Sequence, residues 1–277
     1  MKKVTIQGVR GCYHEVTANN FFHSETVEAI ECDTFNEVFN KVCTQEAEYA
    51  VVAIENTIAG SLLQNYELLN KSGLQIIGEY KQRISHCFAV LPGQTMDDIT
   101  EVWSHPIALM QCTDFLSTVP HAKVVEKSDT AWSAKMIAEN KLMGHAAICS
   151  REAAAIYGLT VLESGIESNK RNFTRFMILT TPERAAKHNE ELPINKASLA
   201  FALPHTEGSL SQVLSIFSFY GLNLTKIQSL PIIGREWEYL FYIDLRFSDS
   251  LKYRQSIEAI KPLTKDFITF GEYHEAE

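Results

Sequence analysis

The segment Tyr49–Ile54 (YAVVAI) places six apolar residues in an unbroken row. A strand with one wet face alternates polar and apolar side chains; an unbroken row suits a strand covered on both faces. That constraint calls for a sheet between helical layers, and the flanking sequence supplies them. Lys3–Gln7 reads as a strand. Thr34 can cap a helix in which Phe35, Val38, Phe39 and Val42 share one face at helical spacing. A helix over 61–69, strands over 74–80, 84–91 and 101–103, and a helix opening at Pro106 and carrying Leu109, Cys112 and Leu116 follow. A strand over 122–126, a helix over 128–140 and strands over 145–149 and 176–180 complete the first part. Alternating elements of this kind predict an α/β architecture with mostly parallel sheets.

Thr181–Asn195 (TPERAAKHNEELPIN) is polar, holds two prolines and lacks an apolar period. It reads as a linker over 183–195, separating a part spanning 1–182 from one spanning 196–277. The second part has its own rhythm. A strand over 197–203 precedes a helix carrying Leu210, Val213, Leu214 and Phe217. Strands over 222–231 and 238–247, a helix over 250–260 and a strand over 267–270 follow. This β-α-β-β-α-β order is the ferredoxin-like pattern.

The chain has 277 residues, enough for two domains and a sizeable core. A net charge of −9 and no basic run argue against nucleic acid as a partner. Val4-Thr5-Ile6 is too short for a signal core, and no segment approaches the ~20 apolar residues of a membrane helix. A cytoplasmic protein without a membrane partner is the expectation. The six cysteines form no C-x-x-C pair, which fits reduced thiols and gives no zinc pattern.

Asn172-Phe173-Thr174-Arg175-Phe176 sets a hydroxyl beside a guanidinium, between aromatics. In a strand Thr174 and Phe176 face one way and Arg175 the other; an irregular turn presents both polar groups together. Pro106 suits the first position of a helix, with Ser104 or His105 as its cap. His105 can serve as an acid or base, or orient that helix end. Asp129 or Ser128 starts another helix, with Thr130 in its first turn. Such ends offer free N–H groups to a carboxylate, and also read as plain capping. Glu55 and Asn56 end a buried strand, where open α/β sheets bind ligands. His14, His86 and His145 read as structural or exposed.

These segments, in this order, resemble the prephenate dehydratase family of the bacterial type. Thr174-Arg175-Phe176 is similar to its Thr-Arg-Phe signature, and Ala53-Ile54-Glu55-Asn56-Thr57-Ile58-Ala59-Gly60 to its P-I-E-N-S…G segment. Ser104-His105-Pro106 with Gln111-Cys112, Asp129-Thr130-Ala131, and Ala153-Ala154 with Tyr157-Gly158 resemble three further motifs. The resemblance implies a two-lobed catalytic region like a type II periplasmic binding protein. Its lobes would be about 1–78 with 166–182, and 79–165. It further implies decarboxylative dehydration of prephenate to phenylpyruvate, with no cofactor and no metal. Thr174 and Arg175 would be catalytic. Glu55, Asn56, Thr57, Ser104, His105, Thr130, Asn172, Phe173 and Phe176 would bind substrate.

The second part resembles an ACT domain through Gly208-Ser209-Leu210 and Asn223 to Pro231. This implies a homodimer or homotetramer that binds L-phenylalanine through Gly208, Ser209, Leu210, Asn223, Leu224, Gln228 and Ser229. Gly208 also reads as an ordinary loop glycine. Two departures stand out. Gln228-Ser229-Leu230-Pro231 replaces Glu-Ser-Arg-Pro, losing both charges. Gly8-Val9-Arg10-Gly11-Cys12-Tyr13-His14 replaces GPxGTFS, losing two hydroxyls and implying an altered cleft wall. A non-catalytic amino-acid sensor and an arogenate dehydratase are the competing expectations.

Overall fold

The computed structural model describes residues 1–189 and 193–275. Contacts divide the chain into two compact units, Met1–Leu68 with Tyr80–Ile178 and Leu69–Glu79 with Leu179–Glu277. The strands Gln75–Arg83 and Phe173–Thr180 are each shared out between the units by this division.

The first unit is a two-lobed α/β structure. One lobe is built on a sheet ordered Val27–Cys32, Lys2–Gln7, Tyr49–Asn56, Phe173–Thr180, Gln75–Arg83, with a short strand Gly60–Ser61 beside Tyr49–Asn56. Lys2–Gln7 runs parallel to both of its neighbours. Tyr49–Ile54 is buried along its whole length, as the unbroken apolar row requires. The helix Phe35–Cys43 buries Val38, Phe39 and Val42, and the Thr34 hydroxyl accepts from Glu37 N–H to cap it. The other lobe has a sheet ordered Thr160–Ser164, Cys87–Val90, His145–Cys149, Glu101–Ser104, Lys123–Glu126.

Two expectations need correction. The second sheet is mixed, because Cys87–Val90 runs antiparallel to both of its neighbours. The helix opened by Pro106 breaks at Cys112 into Pro106–Gln111 and Thr113–Leu116. The expected lobe boundary at 78/79 falls inside the strand Gln75–Arg83, which neighbours Phe173–Thr180 in the first sheet.

The two lobes are clasped at one point by main-chain contact. Gly11 has φ +85°, and a Cβ added there would lie 2.5 Å from Ala153 Cα. Ser150 Oγ donates to Gly11 O at 2.6 Å, and Tyr157 OH donates to Arg10 O at 3.0 Å. The small residues Ala153 and Ala154 thus make room for the loop before the helix Tyr13–Phe21.

The second unit contains the predicted βαββαβ fold. Its antiparallel sheet is ordered Asn223–Pro231, Tyr239–Arg246, Lys196–Ala202, Lys265–Tyr273. The helices Ser209–Phe219 and Ser250–Ile260 pack Val213, Phe217, Tyr253 and Ile257 against Leu199, Phe201, Ile243 and Leu245. Part of the expected linker is a helix, Pro182–Asn189. Proline at its first position, Glu183 in its first turn and Lys187 and His188 in its last suit the helix dipole. Among the described side chains of this helix only Ala185 is buried, and the stretch shows no apolar period in sequence. Residues 190–192 of the expected linker lie outside the described residues.

Replacing Gly11 by Ala should destabilise the protein by about 2 kcal/mol or more, since it adds both positive-φ strain and a backbone clash. Urea denaturation of Gly11→Ala against wild type checks this; an unchanged midpoint would show that the clasp tolerates a side chain.

Candidate active site

A cavity of about 360 Å³ opens within the first unit. Its wall includes the first turns of two longer helices. Cys12, Tyr13 and His14 open the helix Tyr13–Phe21, and Asp129 and Thr130 open Thr130–Glu139. His105, Ile107 and Ala108 from the start of Pro106–Gln111 also line it, with Asn56, Ile84, His86, Gln111, Thr174 and Phe176. None of the described lining residues is Lys or Arg. The N–H groups that open Thr130–Glu139 are taken by the Asp129 carboxylate, whereas the start of Tyr13–Phe21 has no side-chain cap.

Asn56 is the hub. Its Oδ1 accepts from Ile58 N–H at 2.9 Å and Ala59 N–H at 2.8 Å, which folds the turn after the strand. Its Nδ2 donates to Asn172 Oδ1 and to Thr174 Oγ1, both at 2.9 Å. Because the Thr174 oxygen accepts from Asn56, its own hydrogen remains available to a ligand.

Behind Asn56 lies a neutral relay. Asn172 Nδ2 donates to Gln111 Oε1 at 2.8 Å, and His86 Nε2 lies 3.1 Å from the same oxygen. That oxygen only accepts, so Nε2 carries the His86 proton and Nδ1 is bare, 3.4 Å from Tyr13 OH. Burial lowers the pKa of His86 and keeps the ring neutral. Tyr13 OH donates to Ser85 O at 2.7 Å.

Three further groups face the cavity with altered acidity. Burial pushes His14 down to about 3; the ring is half-buried, one side on the cavity and edge-on to Phe176 with centroids 5.0 Å apart. Burial also lowers His105, whose Nδ1 accepts from Ile107 N–H at 3.2 Å as the cap of its helix. Asp129 is raised by burial against the opposing effect of its capping bonds, among them Trp132 N–H to Oδ1 at 2.7 Å.

The structure divides the residues expected from sequence. Asn56, His105, Thr130, Thr174 and Phe176 line the cavity, and Asn172 stands fully buried behind them. Thr174-Arg175-Phe176 lies in a regular strand, so the period of two turns Arg175 away from Thr174 and Phe176. Arg175 Nε instead lies 3.6 Å from Glu55 Oε2, and neither residue lines the cavity. Ser104 is also outside it: its hydroxyl donates to Ile148 O at 2.6 Å and joins two strands. Thr57 is exposed and braces the neighbouring segment, donating to Arg171 O and accepting from Phe173 N–H. Phe173 is exposed and outside the lining.

Sequence reasoning passed over His14 and His86 as structural, and both line the cavity. His14, with Cys12 and Tyr13, sits in the segment that departs from the family pattern, which was the available signal. Gln111 sits in the quoted segment after Pro106.

In the second unit, Gly208 has φ +75° and caps the helix begun by Ser209 and Leu210. Asn223, Leu224, Gln228 and Ser229 lie on the strand Asn223–Pro231, at one edge of the four-stranded sheet.

A two-lobed α/β frame with a cleft free of Lys and Arg among its described lining residues, together with a βαββαβ unit, is the architecture of a two-lobed ligand-binding protein with an appended ferredoxin-like domain. The sequence pattern of the family described as prephenate dehydratase matches residues 4–184. The bifunctional chorismate mutase/prephenate dehydratase of Escherichia coli K12 is 33% identical over 275 residues, covering 98% of this chain and 70% of that protein. Chloroplastic arogenate dehydratase 5 of Arabidopsis thaliana is 37% identical over 263 residues, covering 89% and 61%. The solved prephenate dehydratase of Arthrobacter aurescens in complex with L-Phe superposes with a TM-score of 0.85 at 28% identity, covering 98% and 89%. A solved structure described as GqqA, a quorum quenching acylase, superposes with a TM-score of 0.87 at 26% identity, covering 99% and 98%. The chain belongs to the prephenate dehydratase family and is a carbon–oxygen lyase.

The displaced pKa of His14 fixes a pH dependence. The unfolded chain binds a proton at His14 below about 6.5, while the folded chain holds it neutral down to about 3. In that window the unfolded state carries more protons, so stability falls as pH falls. Going from pH 7 to pH 5 should cost at most about 2 kcal/mol through this residue. Urea titrations at the two pH values should show the loss, and His14→Phe should remove it; an unchanged difference in that variant would place the sensitivity elsewhere.

Proposed function

We propose that the cavity converts prephenate to phenylpyruvate, water and carbon dioxide, with Thr174 as the group that assists the departing hydroxyl. The observation that carries this is the hydrogen bond from Asn56 Nδ2 to Thr174 Oγ1 at 2.9 Å, which orients the hydroxyl hydrogen for an outside acceptor. In the reaction, the bond from the ring to its carboxylate breaks and carbon dioxide leaves. The electron pair enters the ring, which becomes aromatic as the hydroxyl on the opposite carbon departs. That oxygen leaves as water after gaining a proton. A threonine hydroxyl is a weak acid, so its contribution is a positioned hydrogen bond to the developing charge.

The substrate carries two carboxylates. With Arg175 turned toward Glu55, the anchoring role passes from Arg175 to the N-terminal turn at Tyr13, since the Asp129 carboxylate already occupies the one at Thr130. Arg175 then acts by holding Glu55 and the strand end beside Asn56. Thr57 and Asn172 position the Thr174 segment, and Ser104 positions the helix that His105 caps.

Arogenate is the second substrate reading. The 37% identity to an arogenate dehydratase supports it, as does a cavity carboxylate, Asp129, that suits the ammonium group arogenate carries. For the second unit, L-phenylalanine bound between two copies is the regulatory reading. It rests on the relative solved with L-Phe and on the open sheet edge at Asn223–Pro231. The same edge supports a homodimer or homotetramer. A cytoplasmic location accords with the absence, among the described residues, of a helix long and apolar enough to cross a membrane.

Thr174→Ala should keep its fold and lose roughly 100- to 1,000-fold in kcat, the usual effect of removing one preorganised donor. Phenylpyruvate release from prephenate and phenylalanine release from arogenate, with and without added L-phenylalanine, measure activity, substrate preference and regulation together. A Thr174→Ala variant within tenfold of wild type would remove Thr174 from the mechanism.

A further inference from the structure

His14 is the second residue of the helix Tyr13–Phe21, and its ring lines the cavity. It stands edge-on to Phe176 at 5.0 Å and tilted against Phe35 at 5.6 Å. Phe176 and Thr174 share one face of their strand, at i and i+2. Two residues along a strand span roughly 7 Å, about the length of a six-membered ring with its substituents. A substrate with one end at Thr174 therefore extends toward Phe176 and the imidazole beside it.

The slot between two phenyl rings suits an apolar ring, yet it holds a polar one. His14 Nε2 is sealed from solvent and has no hydrogen-bond partner among the described residues. A buried, unsatisfied nitrogen destabilises the ligand-free protein, and a phenylalanine would fill the same slot without that cost. The nitrogen thus has no structural service in the empty cleft. A half-turn about Cβ–Cγ exchanges Nε2 with Cε1 and leaves the ring in its slot, so the same packing can offer nitrogen to a ligand.

We propose that His14 is a substrate-positioning residue, whose imidazole hydrogen-bonds an oxygen substituent of the cyclohexadiene substrate alongside Phe176. This rests on the dehydratase reading of the same cavity. The imidazole brings no charge, so it can orient a carboxylate or carbonyl oxygen without clamping it as an arginine would. It also ties the altered segment Cys12-Tyr13-His14 to substrate choice, because an uncharged ring can donate to a keto oxygen or accept from an ammonium group, according to its tautomer.

The test compares four variants per mole of folded enzyme: His14→Phe and His14→Leu, which are apolar, and His14→Asn and His14→Gln, which keep a polar atom. Thermal melts and kcat/KM on prephenate and on arogenate are read for each. His14→Phe is expected to melt at or above the wild-type temperature and to lose roughly 10- to 100-fold in kcat/KM, the effect of one lost buried hydrogen bond. His14→Asn or His14→Gln should recover part of that loss, and the ratio of the two substrates should move between the polar and apolar variants. If activity follows ring size instead, with His14→Phe as active as wild type or more active than both amides, His14 only packs and the proposal is overturned. Should His14→Phe melt low, His14→Leu against the amides still ranks polarity against bulk. A wild-type enzyme inert on both substrates would instead overturn the dehydratase reading itself.

Discussion

One amide side chain organises the cleft. Asn56 ends the most deeply buried strand of the first lobe, and its two polar atoms serve six groups on three segments. Its oxygen sets the turn through Ile58 and Ala59, and its nitrogen fixes the start of the strand carrying Thr174. An aspartate would keep the accepting task and lose the donating one, and a leucine would lose both. The buried Asn172, Gln111 and His86 extend this arrangement, and each has a stated partner. A buried polar network of this kind rigidifies a site when every member is satisfied. Thr174 thereby inherits a fixed direction from its hydrogen-bonded neighbours.

The second unit is held by a different device. Lys196 is 2% exposed and lies 2.7 Å from Glu79 Oε1 and 3.1 Å from Glu275 Oε1. Tyr273 OH donates to Glu79 Oε2, and Ser198 Oγ donates to Asp244 Oδ1. Gly271 stands where an added Cβ would lie 2.2 Å from Ile76 O. The strand Gln75–Arg83 is therefore seated by buried charges at Glu79 and by close backbone approach at Ile76. A buried ion pair adds little net stability over apolar packing, yet losing one partner is costly. Its effect is to fix one register. The same strand runs on to Arg83, next to Ile84 in the cavity wall.

Much of this was legible because local patterns match the final environment. Tyr49–Ile54 reads as a doubly covered strand and is one. The Thr34 cap, the apolar face of the helix after it and the βαββαβ order all follow from spacing alone. Short motifs in order identified the family, and of the residues they single out Asn56, His105, Thr130, Thr174 and Phe176 line the cavity. The misses have physical causes. Arg175 and Ser104 sit in motifs but belong to strands whose period and hydrogen bonds direct them elsewhere. The helix Pro182–Asn189 buries only Ala185 among its described side chains, so no apolar period could announce it. His14 and His86 acquire meaning from partners more than 20 residues away in sequence, Phe176 and Gln111, which no spacing rule connects.

The absence of Lys and Arg from the described cavity wall has a chemical logic of its own. A decarboxylation must release one carboxylate as a neutral molecule. A guanidinium clamped on that carboxylate stabilises it most in the ground state and least as carbon dioxide forms, so the cation would raise the barrier. Helix N-termini offer weaker, distributed attraction, enough to seat an anion and less able to trap it. The neutral histidines fit the same logic, since burial holds His14, His86 and His105 below the ordinary imidazole value. A protonated ring in any of these positions would restore the fixed cation that the cleft otherwise avoids. Burial thus performs an electrostatic task as well as a packing one: it keeps the wall polar enough to orient oxygen and uncharged enough to let one carboxylate go.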